Sequence, residues 1–161
     1  MTPDRATDRV RAVVSIAPVT ADDSTDWRAL WDAYLAFYET SLEEDTTATT
    51  FARIVDPGSG IHGAIARGDD GAALGIVHWL THPATWTTTS YCYLEDLFVA
   101  PGGRGRGVGG ALVGHVRQWA EEHGSAKVYW LTAESNATAR ALYDRVATRS
   151  GMIHYQVAIT G

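Results

Sequence analysis

Several things are scarce in this chain. It has a single cysteine, Cys92, so an internal disulfide is impossible and no thiolate cluster can hold a metal. Its six histidines are scattered, with no second ligand set at metal-binding spacing, and no metal site is expected. No segment reaches the ~18 uninterrupted apolar residues of a membrane span. The polar, charged opening from Met1 to Arg11 lacks the apolar stretch of a secretory signal. Positive charge is short too: 13 Lys and Arg against 19 Asp and Glu leave a formal net charge of −6. That balance argues against nucleic acid as the main partner and suits cationic ligands through long-range attraction. Internal repeats, low-complexity tracts and linkers are missing as well. The expectation is a cytoplasmic, metal-free protein with no membrane or nucleic-acid partner.

What is present is ample for a core. With 161 residues, 45% of them apolar, the chain reads as one domain over residues 1–161, with residues 1–11 as a flexible arm. Ala12 to Pro18 reads as a first strand. Trp27, Leu30, Trp31, Tyr34, Leu35 and Tyr38 recur at helical spacing from Asp26 to Glu39, with Ser24 or Asp26 as cap. A second helix runs from about Thr47 to Val55 and stops at Asp56-Pro57-Gly58. Ile61 to Ala66 and Ala73 to Thr81 form a hairpin about the turn Gly68 to Gly71. Cys92 to Val99 is apolar on both faces and reads as a central strand, with Cys92 a small buried hydrophobe. A helix then runs from Val108 to Gly124, followed by a strand from Val128 to Leu131. A helix carries Ala139, Leu142, Tyr143 and Val146, capped by Ser135 or Asn136, and Met152 to Ile159 reads as a final strand. The fold class is α+β, with a largely antiparallel sheet.

Between the central strand and the helix that follows lies Arg104-Gly105-Arg106-Gly107-Val108-Gly109. Such a turn aims backbone N–H groups and a helix dipole at an anion. Glycine permits close approach, and the two arginines add charge-assisted donors. There is no Gly-Lys-Ser/Thr, so this is not a P-loop. Gly105, Gly107 and Gly110 can be forced onto a dinucleotide fingerprint, but that motif belongs after the first strand of a βαβ unit.

With Asn136, Ala139, Leu142 and Tyr143 at the spacing Asn-x-x-Ala-x-x-Leu-Tyr, this turn resembles the paired signature of the GCN5-related N-acetyltransferases. Within that family, Tyr93 to Val99, Tyr38-Glu39 and Trp86 resemble the diamine (spermidine/spermine) and yeast-type histone/polyamine branch. The resemblance implies a sheet with splayed central strands, acetyl-CoA as cofactor and a homodimer. The implied reaction is acetyl transfer to a primary amine such as a polyamine or amino acid, by direct attack. Backbone groups along Leu97, Phe98 and Val99 would hold the acetyl carbonyl and pantetheine arm. The amides of Arg104, Gly105, Arg106, Gly107, Val108, Gly109 and Gly110 would hold the pyrophosphate. Asn136 would bond the pantetheine or cap its helix. Tyr143 would protonate the leaving thiolate, since its phenol has a reference pKa near ~10.

The acidic pair Glu95 and Asp96 interrupts an apolar strand, which is costly unless each acid is partnered. Strand alternation puts them on opposite faces, Glu95 sharing a face with Leu97 and Val99. Glu95 then reads as the base, acting through water, and Asp96 as an ammonium anchor or structural acceptor. Alternatively both pair with core arginines or backbone donors. Tyr38, Glu39, Trp86, Glu95 and Asp96 are the substrate-binding candidates, with Trp31, Tyr34, Trp79 and Trp130 as further aromatic walls. His78 and His82 read as satisfied structural histidines near the site. A protein lysine or N-terminal acetyltransferase and a non-catalytic acyl-CoA sensor are the other readings.

Overall fold

The computed structural model describes residues 14–159, so the predicted N-terminal arm lies outside the described residues. Of the described residues, those up to Leu131 form one compact unit, and those from Thr132 to Ile159 a second.

The first unit runs β1 (Ser15–Pro18), α1 (Ser24–Phe37), α2 (Glu44–Val55), β2 (Ile61–Arg67), β3 (Ala73–Pro83), β4 (Ser90–Val99), α3 (Val108–Glu122) and β5 (Ser125–Tyr129). Its five strands lie in sequence order; every pairing is antiparallel except β4 with β5, which is parallel. The parallel pair follows from α3, which returns the chain to the same end of the sheet. The predicted hairpin closes with Gly68 N–H on the Ala72 carbonyl (3.0 Å) and Gly71 at φ +79°. Neither Ser24 nor Asp26 caps α1; both fall in its first turn. A short 3-10 turn precedes the helix, and there the backbone N–H and hydroxyl of Thr20 donate to Asp23 Oδ2.

Two apolar layers cover the sheet. On one face Trp27, Leu30 and Trp31 of α1 and Ile54 of α2 pack with Ile65, Ile76 and Phe98, which stand in register across β2, β3 and β4. On the other face lies α3. A Cβ on Gly75 would meet the Phe98 carbonyl at 2.7 Å and the side chains of Leu112 and Val108 at 3.1 and 3.3 Å, so glycine is what lets α3 sit this close. Trp79 lies on this face, edge-on to Trp119 and His115 of α3.

The second unit holds α4 (Ala137–Val146). Of the two predicted caps, Asn136 takes the role: its side-chain oxygen accepts from Ala139 N–H at 3.3 Å. Met152 to Ile159 forms no strand among the described residues, and Ile153, Tyr155, Val157 and Ile159 are all exposed. Their alternation marks one apolar face, but a strand also needs a neighbour for its backbone groups, and no described strand pairs with them.

Candidate active site

Strand β4 carries the acids, and its register explains their placement. Opposite β3, Asp96 faces His78 and Leu94 faces Trp79, so Glu95 is an extra residue on β4, a β-bulge. The bulge resets the alternation. Leu94 lies with Trp79 on the α3 face, whereas Asp96 lies with His78 on the α1 face. The bulge breaks the strict alternation on which the predicted separation of the two acids onto opposite faces rests. The charge of Glu95 helps to raise the pKa of Tyr34 and Tyr93.

The alternative pairing with core arginines is not what the structure holds for Asp96. Tyr34 donates its hydroxyl to Oδ1 at 2.7 Å, and His78 Nδ1 lies 3.0 Å from Oδ2. Behind the imidazole, Trp27 Nε1–H donates to His78 Nε2 at 3.0 Å. Glu95 opens toward solvent, yet its pKa is raised, first by desolvation and then by the charge of Asp96. Tyr38 packs edge-on to Tyr34, ring centroids 5.0 Å apart, and its pKa is raised by burial and by Asp96. Tyr34 is raised far above its ordinary value by burial and Asp96. Tyr93 is raised by burial and Glu95, and its ring lies 5.0 Å from that of Tyr129. Phenols around two carboxylates make an acidic, aromatic recess, a chemistry that favours an ammonium group.

Beside this recess β4 loses a neighbour. The strand pairs with β5 only from Ser90 to Tyr93, so from Leu94 to Val99 no described strand lies on that edge. Leu97, Phe98 and Val99 fall there; Phe98 is buried in the core, so only its backbone can serve a ligand. The chain then reaches the glycine turn, where Gly105 and Gly107 take φ of +72° and +78° and Gly107 caps α3. Val108, Gly109 and Gly110 open the helix, whose first N–H groups have no partner within it. Arg104 and Arg106 are exposed, Arg106 Nη1 reaching the Gly102 carbonyl at 3.4 Å. A free strand edge leading into a glycine-rich helix N-terminus fits an extended cofactor that ends in phosphates.

The described sequence matches the family model "Acetyltransferase (GNAT) family" over residues 27–147. The chain belongs to the GNAT acetyltransferase family. This acetyltransferase is 33% identical over 144 residues to the D-amino-acid N-acetyltransferase HPA3 of Saccharomyces cerevisiae, covering 89% of each chain. Among solved structures its fold matches a ribosomal-protein-alanine N-acetyltransferase from Brucella melitensis biovar Abortus 2308 (TM-score 0.77, 20% identity, 91% of this chain and 100% of that one). It also matches AAC(6')-Iy in complex with a bisubstrate CoA analogue (TM-score 0.79, 18% identity, 92% and 100%). The enzyme is an N-acetyltransferase that uses acetyl-CoA.

Of the sequence-predicted residues, the acetyltransferase brings Tyr38, Glu95 and Asp96 together. Glu39 is exposed at the end of α1 with φ 53°, and Trp86 stands 91% exposed in the β3–β4 loop. Trp31 and Trp79 are core residues rather than walls, and Trp130 follows directly on β5. Asn136 and Tyr143 lie two turns apart on α4 of the second unit. His82 accepts from the Tyr129 hydroxyl on Nε2 (2.7 Å), because its Nδ1 donates to the Pro83 carbonyl (2.8 Å). Cys92 is fully buried, and burial pushes its thiol up to about 11, as expected of an inert core residue. Among the described residues no helix is long and apolar enough to cross a membrane, and no cluster of His, Cys, Asp and Glu could hold a metal ion. The residues that sequence reasoning undervalued are Trp27, Tyr34, His78 and Tyr93. An acid on β4 opposite a histidine on β3 was the available signal.

Proposed function

We propose that the enzyme acetylates the primary amine of a small molecule, an amino acid foremost, with Glu95 as base and Asp96 as ammonium anchor. The observation that carries this reading is the pair of adjacent carboxylates on the β4 bulge, ringed by Tyr34, Tyr38 and Tyr93. The named activity of the yeast relative supports an amino acid as the acceptor. A polyamine is the second reading, favoured by two negative charges in one recess. Acetyl-CoA supplies the activated thioester. Backbone groups of Leu97, Phe98 and Val99 orient it, the amides of Arg104 to Gly110 hold its pyrophosphate, and Asn136 orients the pantetheine. Glu95 takes the amine proton, directly or through water, and Tyr143 returns one to the departing sulfur. The proposal includes a cytoplasmic homodimer, for which the exposed apolar residues from Met152 to Ile159 offer a surface.

Thiol release from acetyl-CoA with D- and L-amino acids, spermidine and a lysine peptide tests the acceptor. Turnover highest with the peptide would replace the small-molecule reading. Binding of acetyl-CoA without turnover on any amine would favour a sensor.

Arg104→Ala should weaken CoA binding about 10-fold, the loss of one charge-assisted hydrogen bond to phosphate. An unchanged Kd by calorimetry would remove Arg104 from the pyrophosphate site. Tyr143→Phe should lower kcat by about 10²-fold at unaltered acetyl-CoA affinity; wild-type turnover would end its role as acid.

A further inference from the structure

Trp27 and His78 are both buried, and His78 is one of only two buried polar residues among those described. Two apolar side chains would fill the same space without the cost of desolvating polar groups. The polarity has an outlet, however, and the hydrogen-bond directions can be read from chemistry alone. An indole N–H only donates. The His78 Nε2 it reaches at 3.0 Å must therefore accept, which puts the ring hydrogen on Nδ1. Nδ1–H then donates to Asp96 Oδ2 at 3.0 Å, while the Tyr34 hydroxyl donates to Oδ1 at 2.7 Å. One donor on each oxygen stops the carboxylate from rotating and leaves it a pure acceptor with lone pairs to spare. No such clamp holds Glu95 among the described residues, and its place on the bulge leaves it open to solvent.

We propose that Trp27, His78 and Tyr34 are positioning residues that clamp Asp96 as a fixed acceptor for the substrate ammonium and leave removal of the amine proton to Glu95 alone. This rests on the amine-acetylation reading above. The clamp divides labour between two neighbouring carboxylates that differ little in chemistry. The titratable groups facing the pair are Tyr34 and Tyr38 from α1, His78 from β3 and Tyr93 on β4. None of these is a lysine or arginine, so Asp96 is free to serve a cation from outside.

The tautomer is testable without any substrate. In ¹⁵N NMR of the full chain, His78 should show a protonated Nδ1 and a bare Nε2. The opposite tautomer, or a doubly protonated ring, overturns the clamp whether or not any amine is acetylated. Equally, wild type that acetylates nothing sinks the functional reading while the tautomer stands or falls by itself. Kinetics supply the second arm. His78→Leu removes the donor to Asp96, and KM for the amine should rise about 10- to 100-fold, the range for one hydrogen bond to a charged group. KM for acetyl-CoA should stay within about twofold, since none of the cluster's hydrogen bonds goes to a group assigned to the cofactor. The acid limb of kcat/KM should move to higher pH, because the carboxylate pair loses a donor that favours its ionised form. His78→Asn keeps a donor at the Nδ1 position and loses the acceptor for Trp27. It should be destabilised like the leucine variant yet recover most of the wild-type KM and pH profile. Tyr34→Phe gives the same contrast should the leucine variant fail to fold. Equal shifts in the asparagine and leucine variants, or parallel losses in kcat and both KM values, reduce His78 to a packing residue and refute the proposal.

Discussion

Glu95→Gln should lower kcat/KM for the amine by about 10²- to 10⁴-fold, the usual span for a general base, and should erase the acid limb of the pH profile. Glu95 works as a base only when ionised, so wild-type activity is lost as pH falls through its pKa. Desolvation and the neighbouring Asp96 charge both raise that pKa, so the limb should lie above the ordinary carboxylate range. Asp96→Asn removes the like charge and should move the limb to lower pH, while raising KM for the amine. Glutamine at 95 preserves shape and cannot take a proton; whatever rate remains should climb with pH as the free amine deprotonates. Retention of a wild-type limb in the glutamine variant would assign the base to another group. Comparable affinity of both proteins for acetyl-CoA shows that the loss is chemical.

Trp27→Ala should destabilise the protein by about 3–5 kcal/mol, read as a fall in the urea midpoint at constant m. Trp27 is 1% exposed, stacks on Trp31 with centroids 5.5 Å apart, and lies 5.0 Å from Phe51. Truncation opens a cavity between α1 and the sheet and strips His78 Nε2 of its only donor shown. Against a typical total of about 5–15 kcal/mol, that is a large share of what keeps a domain folded. Trp27→Phe keeps a six-membered ring and gives up the N–H with the smaller ring that carries it, so it should cost less than alanine, about 1–3 kcal/mol. A midpoint shift below about 1 kcal/mol for the alanine variant would mean that α1 packs less tightly than its burial indicates.

The two predictions draw on parts of the molecule that were unequally legible in the sequence. Helix α1 was plain, because Trp27, Leu30, Trp31 and Tyr34 recur at a helical period and the buried face follows from that period alone. The glycine turn was plain too, since positive φ at Gly105 and Gly107 restricts residue choice locally. The same holds for Asn136 as a cap. The acid site was only half legible. Glu95 and Asp96 stood out because charge inside an apolar strand is costly, but their orientation depended on the partner strand's register. A bulge leaves no mark in one strand read by itself. The clamp on Asp96 joins α1, β3 and β4 across 62 and 18 residues of chain, a distance no local pattern spans. Met152 to Ile159 shows the converse: a clear alternation with no strand, because pairing belongs to two segments and periodicity to one.

The bulge also bears on how such a sequence can change by insertion and deletion. Glu95 can be exchanged for another residue at the cost of chemistry. It can also be taken out without turning the strand over: Leu94 and Asp96 already lie on opposite faces, opposite the consecutive residues Trp79 and His78, so a β4 lacking Glu95 keeps Phe98 under α1 and Leu94 and Cys92 on the α3 side. Core and proposed base therefore answer to different constraints, and gap placement in any alignment through Leu94 to Leu97 decides whether the carboxylates are matched at all.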